Sequence, residues 1–132
     1  MAERTAVGGG RPIEAQAGFS RAIRVDGASA HIFVCGNAST NPDGSIYGAG
    51  DAYAQAAHIL DLMRGYLEQV GASMADVVRT RMYVVDLASH HEEVIRAHGE
   101  VFGDIRPTST LLGIESLMHP DMLVEMDADA IV

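Results

Sequence analysis

Apolar residues recur with helical spacing in two parts of the chain. Across residues 51–70 they repeat every three or four positions, and charged residues fall mainly between them. Gly71 directly follows and suits the end of a helix. A shorter pattern of the same kind begins at Ser89, a suitable N-cap, and continues to Phe102. The spacing therefore predicts two amphipathic helices.

The remaining apolar segments are short or alternate in period two, as strands do. The predicted strands are residues 19–25, 30–35, 75–86, 108–117 and 122–132. The turn sequence Asp26-Gly27 predicts a hairpin between the first two strands. The order β-β-α-β-α-β-β indicates an α+β fold, with two helices on one face of a mixed sheet. The length of 132 residues suits one domain spanning 1–132, in which residues 1–16 are expected to form a loose lead.

The last predicted strand separates apolar and acidic side chains by period two. The face expected under the helices carries Met122, Val124, Met126, Ala128, Ala130 and Val132. The opposite face carries Leu123, Glu125, Asp127, Asp129 and Ile131. Arg79 and Arg81 share one face of strand 75–86, so the arginines and acids face each other if the two strands are neighbours. Such a face is either exposed to solvent or closed as a polar subunit interface.

Composition narrows the class of partner. Nine basic against eighteen acidic residues give a net charge of −9, and the chain has no Lys, which argues against a nucleic-acid surface. The single Cys35 excludes an internal disulfide and fits a reducing cytoplasm. No apolar run has the length of a membrane helix or the place of a secretory signal. We expect a cytoplasmic protein without nucleic-acid or membrane partners.

Five segments occur in an order that carries a family resemblance. They are FSRAIRV, HIFVCGNASTNPDGS, DAYAQAAHILDLMRGYLEQVGASMADVVRTRMYVVDL, HGEVFGDIRPTSTL and MLVEMDADAIV, which together cover about residues 18–132. In this order they resemble the RidA/YjgF family. The resemblance implies a chorismate-mutase-like fold and a homotrimer with small-metabolite clefts between subunits. It favours the second alternative for the face that carries Arg79, Arg81 and the acidic residues, namely that this face is closed in a subunit interface.

The resemblance also implies an activity, the hydrolysis of reactive enamines and imines to a keto acid and ammonia. A protonated imine carbon is already electrophilic, so the protein has only to hold the substrate and position one water. This chemistry needs neither a metal nor a cofactor, and none is expected. The family's acidic residue associated with water activation falls on Glu125, the expected catalytic residue.

Several positions of the family's pocket carry other residues here. The aromatic position falls on Phe19, without the usual Tyr hydroxyl, and the Ser-Gly pair falls on Cys35-Gly36. By the resemblance, the position of a pocket Asn falls on Ile95 and that of a Cys falls on Leu111. Cys35 is expected to line the pocket rather than act as a nucleophile, which needs a nearby base or positive charge. The pocket is thus expected to be less polar than in the family's deaminases.

The main departure is at the position of the Arg that binds a substrate carboxylate. That residue comes two positions after a Pro, and the chain has Pro107 followed by Thr108 and Ser109. A Ser hydroxyl does not replace a guanidinium, since only the latter carries charge. Arg106 and Arg96 are the alternative candidates for binding a substrate anion. For each of them, an ion pair at the surface or at a subunit interface is the simpler interpretation.

A second class of function stays open. The same fold without the family Arg also suits a non-catalytic small-molecule sensor or a chaperone-like binding protein. Ribonuclease activity, also reported within the family, is disfavoured by the acidic charge and the absence of Lys. His90, His91 and His98 invite a metal interpretation, but they lack a second ligand pair at helical spacing, so no metal site is expected.

Overall fold

The computed structural model describes residues 2–132. Its elements in chain order are β1 (Glu3–Val7), α1 (Pro12–Ala17), β2 (Ala22–Asp26), β3 (His31–Ala38), α2 (Ala52–Gln69), β4 (Val77–Val85), α3 (Leu87–Phe102), β5 (Thr108–Ile114) and β6 (Val124–Ile131). A short 3-10 turn at Met74–Asp76 leads into β4. From β2 onward the order of strands and helices is the predicted one.

Four strands form the main sheet, in the order β3-β6-β4-β5. β6 pairs antiparallel with both neighbours, whereas β4 and β5 run parallel, which makes the sheet mixed. α2 packs on β3 and β6, and α3 packs on β4 and β5. The predicted α+β fold with two helices on a mixed sheet is confirmed.

The buried residues follow from the period-two pattern of the central strands. On β6, Val124, Met126, Ala128 and Ala130 are buried beneath the helices, as predicted. On β4, the residues buried toward the helices are Val77, Thr80, Met82 and Val84. A register shift between Val77 and Arg79 buries Val77 where simple alternation predicts Val78.

The two predicted helices are present with nearly the predicted bounds. The Asp51 side chain caps α2 by accepting a hydrogen bond from the Ala54 amide at 3.0 Å. Gly71, with φ of 80°, lies just beyond its end. α3 begins two residues before the predicted cap Ser89, after Asp86 in a left-handed conformation. No helix within residues 2–132 has the length and apolar character that crossing a bilayer requires.

Two predictions for the N-terminal region are wrong. The expected loose lead contains β1 and α1, and β2 pairs with β1 rather than forming a hairpin with β3. A five-residue strand and a six-residue helix are too short to show a periodic pattern, so no signal marks them. They are held by contacts distant in sequence: Arg4 donates hydrogen bonds to the carbonyls of Ala75, Val77 and Ile105.

Candidate active site

A cavity of about 200 Å³ opens at the β5 edge of the sheet, against α1 and α3. Its walls are Ile13, Ala17, Phe19, Arg21, Met82, Ile95, Ser109 and Leu111. Four of the predicted pocket residues, Phe19, Ile95, Ser109 and Leu111, therefore lie together although they are distant in sequence. A second, more open depression continues from it along Phe19, Arg21 and Ser109 to Arg79.

Phe19 reaches the cavity because the chain turns sharply after α1. Gly18 has φ of 73°, a conformation that glycine adopts without steric cost. A Cβ at Gly18 would also lie 2.8 Å from the Phe102 carbonyl carbon at the end of α3. The amides of Gly18 and Phe19 both donate to the Glu14 carbonyl, at 2.9 and 3.0 Å. Gly18 thus lets α1 dock on α3 and places Phe19 at the cavity.

Arg21 is the cation in this cavity, and the sequence analysis did not single it out. Its guanidinium carbon lies 5.0 Å from the centre of the Phe19 ring, and its Nε lies 3.3 Å from a Glu14 carboxylate oxygen. Backbone N–H donors, first that of Arg11 and then that of Gly9, lower the pKa of buried Glu14, which stays ionised beside Arg21. The available signal was the spacing of two from Phe19, which puts both side chains on one side of an extended segment.

Ser109 lies in the cavity wall on the helix-covered side of the sheet. Its Oγ is 2.7 Å from the Thr80 hydroxyl, which is buried and lies 2.8 Å from Nε2 of His98. His98 is fully buried in α3, and its Nδ1 bonds the Ala17 carbonyl at the end of α1. Burial lowers the pKa of His98 to about 4, so the ring is neutral at pH 7. Where the family has a charged arginine, Ser109 therefore belongs to an uncharged chain of hydrogen bonds through Thr80 and His98.

Three further predicted site residues, Cys35, Gly36 and Glu125, lie on the opposite, open face of the sheet. Glu125 points away from the helices, next to the irregular pairing of β3 with β6. A Cβ at Gly36 would lie 2.6 Å from a Glu125 carboxylate oxygen, so the carboxylate lies directly against the backbone of Gly36 and a larger residue there would displace it. Cys35 is exposed beside them, and its carbonyl accepts a hydrogen bond from the Asn37 side chain at 2.8 Å.

Arginines and acids do face each other across β4 and β6, as the sequence predicts for neighbouring strands. Arg79 pairs with Asp129 at 3.2 Å and Arg81 with Asp127 at 2.7 Å. The bond to Asp127 raises the pKa of Arg81. Glu125 differs from the other two acids of β6: within residues 2–132 its carboxylate has no ion-pair or hydrogen-bond partner. It is the free carboxylate on this face.

The two alternative anion binders lie elsewhere. The Arg96 guanidinium stacks on Tyr53 of α2, 4.1 Å from the ring centre, and lines a separate groove with Ile95. Arg106 has φ of 55°, and its Nε donates to the Gly103 carbonyl at 3.1 Å. In the described part of the chain, neither side chain lines the cavity that contains Ser109.

No metal ligand set is assembled in residues 2–132, where no three His, Cys, Asp or Glu residues cluster. The three histidines of α3 are used differently from one another. His91 bonds the Leu87 carbonyl one turn earlier, His90 lies 3.5 Å from Glu93, and His98 belongs to the buried chain described above.

Comparison with known proteins adds to this geometry. The model of the family described as Endoribonuclease L-PSP matches residues 10–132. A RutC family protein of Pyrococcus abyssi is 30% identical over 112 residues, which cover 85% of this chain and 84% of that protein.

Solved structures agree with that match. The structure of YyfB, a protein of unknown function of the conserved Rid family from Yersinia pestis, has a TM-score of 0.87 at 26% identity, with 98% of each chain covered. Rv2704 of Mycobacterium tuberculosis, a member of the YjgF/YER057c/UK114 family, is 37% identical with a TM-score of 0.69. That alignment covers 98% of this chain and 100% of Rv2704.

Proposed function

Because the chain belongs to the Endoribonuclease L-PSP family, which includes the RidA/YjgF proteins, we propose that it hydrolyses a small imine or enamine. The observation that carries the proposal is the cavity that gathers Phe19, Ile95, Ser109 and Leu111 from distant parts of the chain. These are the positions at which the family resemblance places the pocket, and their apolar majority suits a small, mostly apolar substrate.

The site is completed between subunits of a homotrimer. The cavity is on the helix-covered side of the sheet, whereas Gly36 and Glu125 are on the open face, so one chain presents two half-sites. Association of open faces brings the cavity of one copy to the Glu125 carboxylate of the next. Phe33, 78% exposed, and half-exposed Leu112 supply apolar contact area on the open side and its edge.

Arg21 takes the place of the missing arginine. It lines the cavity beside Phe19, and its half-exposed guanidinium has donors left after one contact with Glu14. A substrate carboxylate bound there lies on the α1 side of the cavity rather than at Ser109 of β5. The substrate therefore sits in a different orientation from one held by an arginine at position 109.

The reaction uses one water molecule. Glu125 accepts a proton as the water oxygen bonds to the carbon of the protonated imine, which gives a carbinolamine. Glu125 returns the proton to nitrogen, and the C–N bond breaks with its electron pair leaving on nitrogen. The hydroxyl proton of the carbinolamine moves to the departing ammonia, so the carbonyl product and ammonium result. Glu125 suits this step because Arg79 and Arg81 are committed to the other two carboxylates of β6.

Ammonia release tests the proposal directly. An amino-acid oxidase generates a panel of imino acids, and hydrolysis is measured with the native protein and with Glu125→Gln. We expect kcat to fall at least about 100-fold in the variant, since general-base catalysis contributes that much. The matched control is Glu115→Gln, which removes an exposed carboxylate of the same type and is expected to leave the rate unchanged.

Two results contradict the proposal. One is the absence of catalysed ammonia release across the panel, including imines without a carboxylate. The other is a monomer in light scattering, because one chain keeps its two half-sites on opposite faces. The variant Ser109→Arg is informative in the same assay. If it gains activity on imino acids, the native serine at position 109, in place of the family's arginine, is the reason why general deaminase activity is low.

Replacing the cavity cation tests how the substrate is oriented. Arg21→Gln is expected to raise KM for carboxylate-bearing imines by about tenfold, since a lost hydrogen bond to a charged group costs about 1.5 kcal/mol. KM for an uncharged imine stays the same. Arg24→Gln is the control, because Arg24 lies three residues further along the chain, in β2, and pairs with Asp26 at the surface. Equal effects of the two variants on KM would show that Arg21 does not bind the substrate carboxylate.

A non-catalytic role as a sensor or chaperone-like binding protein is the second candidate. The exposed Phe33 and Leu112, and Ser109 in place of an arginine, favour it. Glu125→Gln separates the two roles, because it abolishes hydrolysis but leaves simple ligand binding largely intact.

The family's descriptive name also raises ribonuclease activity, and a nucleic-acid partner is not part of the proposal. The net charge is −9, and four of the nine arginines are paired with aspartates, namely Arg24, Arg64, Arg79 and Arg81. Phosphate contacts need clustered free cations. A cytoplasmic location stays a prediction from the single cysteine.

A further inference from the structure

A chain of hydrogen bonds runs from α1 through the protein interior to the cavity wall. It begins at the Ala17 carbonyl, which bonds Nδ1 of His98. Nε2 of the same ring is 2.8 Å from the Thr80 hydroxyl, and Thr80 is 2.7 Å from the Ser109 hydroxyl. His98 and Thr80 are fully buried, and Ser109 is the side chain of this chain of bonds whose hydroxyl borders the cavity.

The two ends of the His98 ring have different roles. A backbone carbonyl only accepts hydrogen bonds, so Nδ1 carries the proton that bonds Ala17. The ring is neutral at pH 7, because burial disfavours the imidazolium. A neutral ring with a proton on Nδ1 has none on Nε2. Nε2 is therefore an acceptor, and the Thr80 hydroxyl donates to it.

The direction of the last bond follows from counting protons. Thr80 has one hydroxyl proton, and His98 takes it. The separation of 2.7 Å between Oγ1 of Thr80 and Oγ of Ser109 gives the pair but not the donor. Because the Thr80 proton lies on the bond to Nε2 of the neutral ring, the proton between the two oxygens comes from Ser109. The opposite direction would set two acceptors against each other at Nε2, deep in the interior.

We infer that Ser109 faces the cavity as a hydrogen-bond acceptor, so that the ligand group beside it is an N–H or O–H donor and not a carboxylate. The inference rests on the proposed function in taking the cavity as a ligand site. It makes His98 and Thr80 positioning residues that act through Ser109. It also agrees with an imine or amine nitrogen at Ser109 and an anionic group, where present, at Arg21.

The first test needs no ligand. In protein labelled with ¹⁵N-histidine, His98→Gln assigns the His98 signals. We expect a protonated, pyrrole-type Nδ1 and an unprotonated, pyridine-type Nε2 at pH 7. An imidazolium or an Nε2–H tautomer at pH 7 would overturn the assignment of Ser109 as an acceptor.

The second test compares two probes of nearly equal shape, benzamide and benzoate, by their shifts of the Ser109 and Leu111 amide signals. Thr80→Val frees the Ser109 proton to point into the cavity. We expect this variant to change the ratio of the two Kd values about tenfold in favour of benzoate. Thr80→Ser keeps the hydroxyl and is expected to keep the native ratio. An unchanged ratio in Thr80→Val would overturn the inference.

The two tests separate the possible failures. If neither probe shifts the cavity signals, the cavity is not a ligand site, and the proposed function fails together with the ligand class. If a probe binds but His98 has the wrong tautomer, the inference about Ser109 fails and the proposed function stands.

Discussion

The two long helices cover the same face of one sheet but bury different kinds of residue. The buried residues of α2 are Ala52, Gln55, Ala56, Ile59, Leu60, Met63 and Leu67, and those of α3 are Val94, Ala97, His98 and Phe102. Gln55 joins two loops, because its side-chain N–H donates to the Gly48 and Asp121 carbonyls and its Oε1 accepts from the Leu123 amide. His98 instead links a third helix to a residue of the cavity. α2 thus serves mainly the core, whereas α3 also supports the candidate site.

The difference arises from α1, which docks on α3. A Cβ at Gly99 would lie 2.0 Å from the Gln16 carbonyl oxygen, so glycine is required where the two backbones meet. In α2, Gly65 has nothing within 4 Å of the corresponding point. Glycine is therefore required for packing at position 99 of α3, whereas at position 65 of α2 it only lowers the helix propensity.

The largest expected effect concerns acid stability and comes from α3. Above pH 6.5, His98 is neutral in both states. Between pH 6.5 and about 4 the unfolded chain binds a proton that the folded chain excludes, so the free energy of unfolding falls as the pH falls. We expect this group to account for a loss of about 3 kcal/mol between pH 7 and pH 4, measured by urea denaturation.

The matched variant is His98→Gln, which lacks the titrating group. It is expected to be less stable than the native protein at pH 7, because Thr80 or Ala17 loses a partner, but to lose less stability on acidification. Parallel curves of unfolding free energy against pH for the two proteins would show that His98 is not held neutral.

A smaller effect is expected from the two helical glycines, and its sign differs between the helices. Gly65→Ala should stabilise the protein by about 0.5–1 kcal/mol through helix propensity. Gly99→Ala should destabilise it by about 2 kcal/mol, because the added methyl group displaces α1. Thermal unfolding of both variants measures the contrast. Two variants of equal stability would mean that α1 does not pack on Gly99 in solution.

Much of the main sheet was predictable from the sequence. Period-two alternation assigned the buried face of β6, and the same alternation, for neighbouring strands, predicted the pairs of Arg79 and Arg81 with acids. Such patterns are local, since each strand by itself records which of its faces is buried. The departure at Val77 came from a register shift that alternation does not encode.

The N-terminal region was not predictable in this way. β1 and α1 are short, and tertiary contacts support them, with Arg4 bonding three distant carbonyls and Gly99 making room for Gln16. The missing prediction had a consequence for the site: without α1 docked on α3, neither Arg21 nor the role of His98 can be recognised.

The sequence by itself determined the two helices, the strands of the main sheet, the charge pattern of β4 and β6, and the family. These depend on periodicity and on ordered segments that are visible along the chain. Only the tertiary structure decided that Phe19, Arg21, Ile95, Ser109 and Leu111 share a cavity, that Glu125 lies on the opposite face, and that His98 reaches Ser109 through Thr80. The physical reason is that α1 and α3 meet through contacts between residues 81 positions apart, such as the bond between the Ala17 carbonyl and the His98 side chain. No local pattern records a contact of that kind.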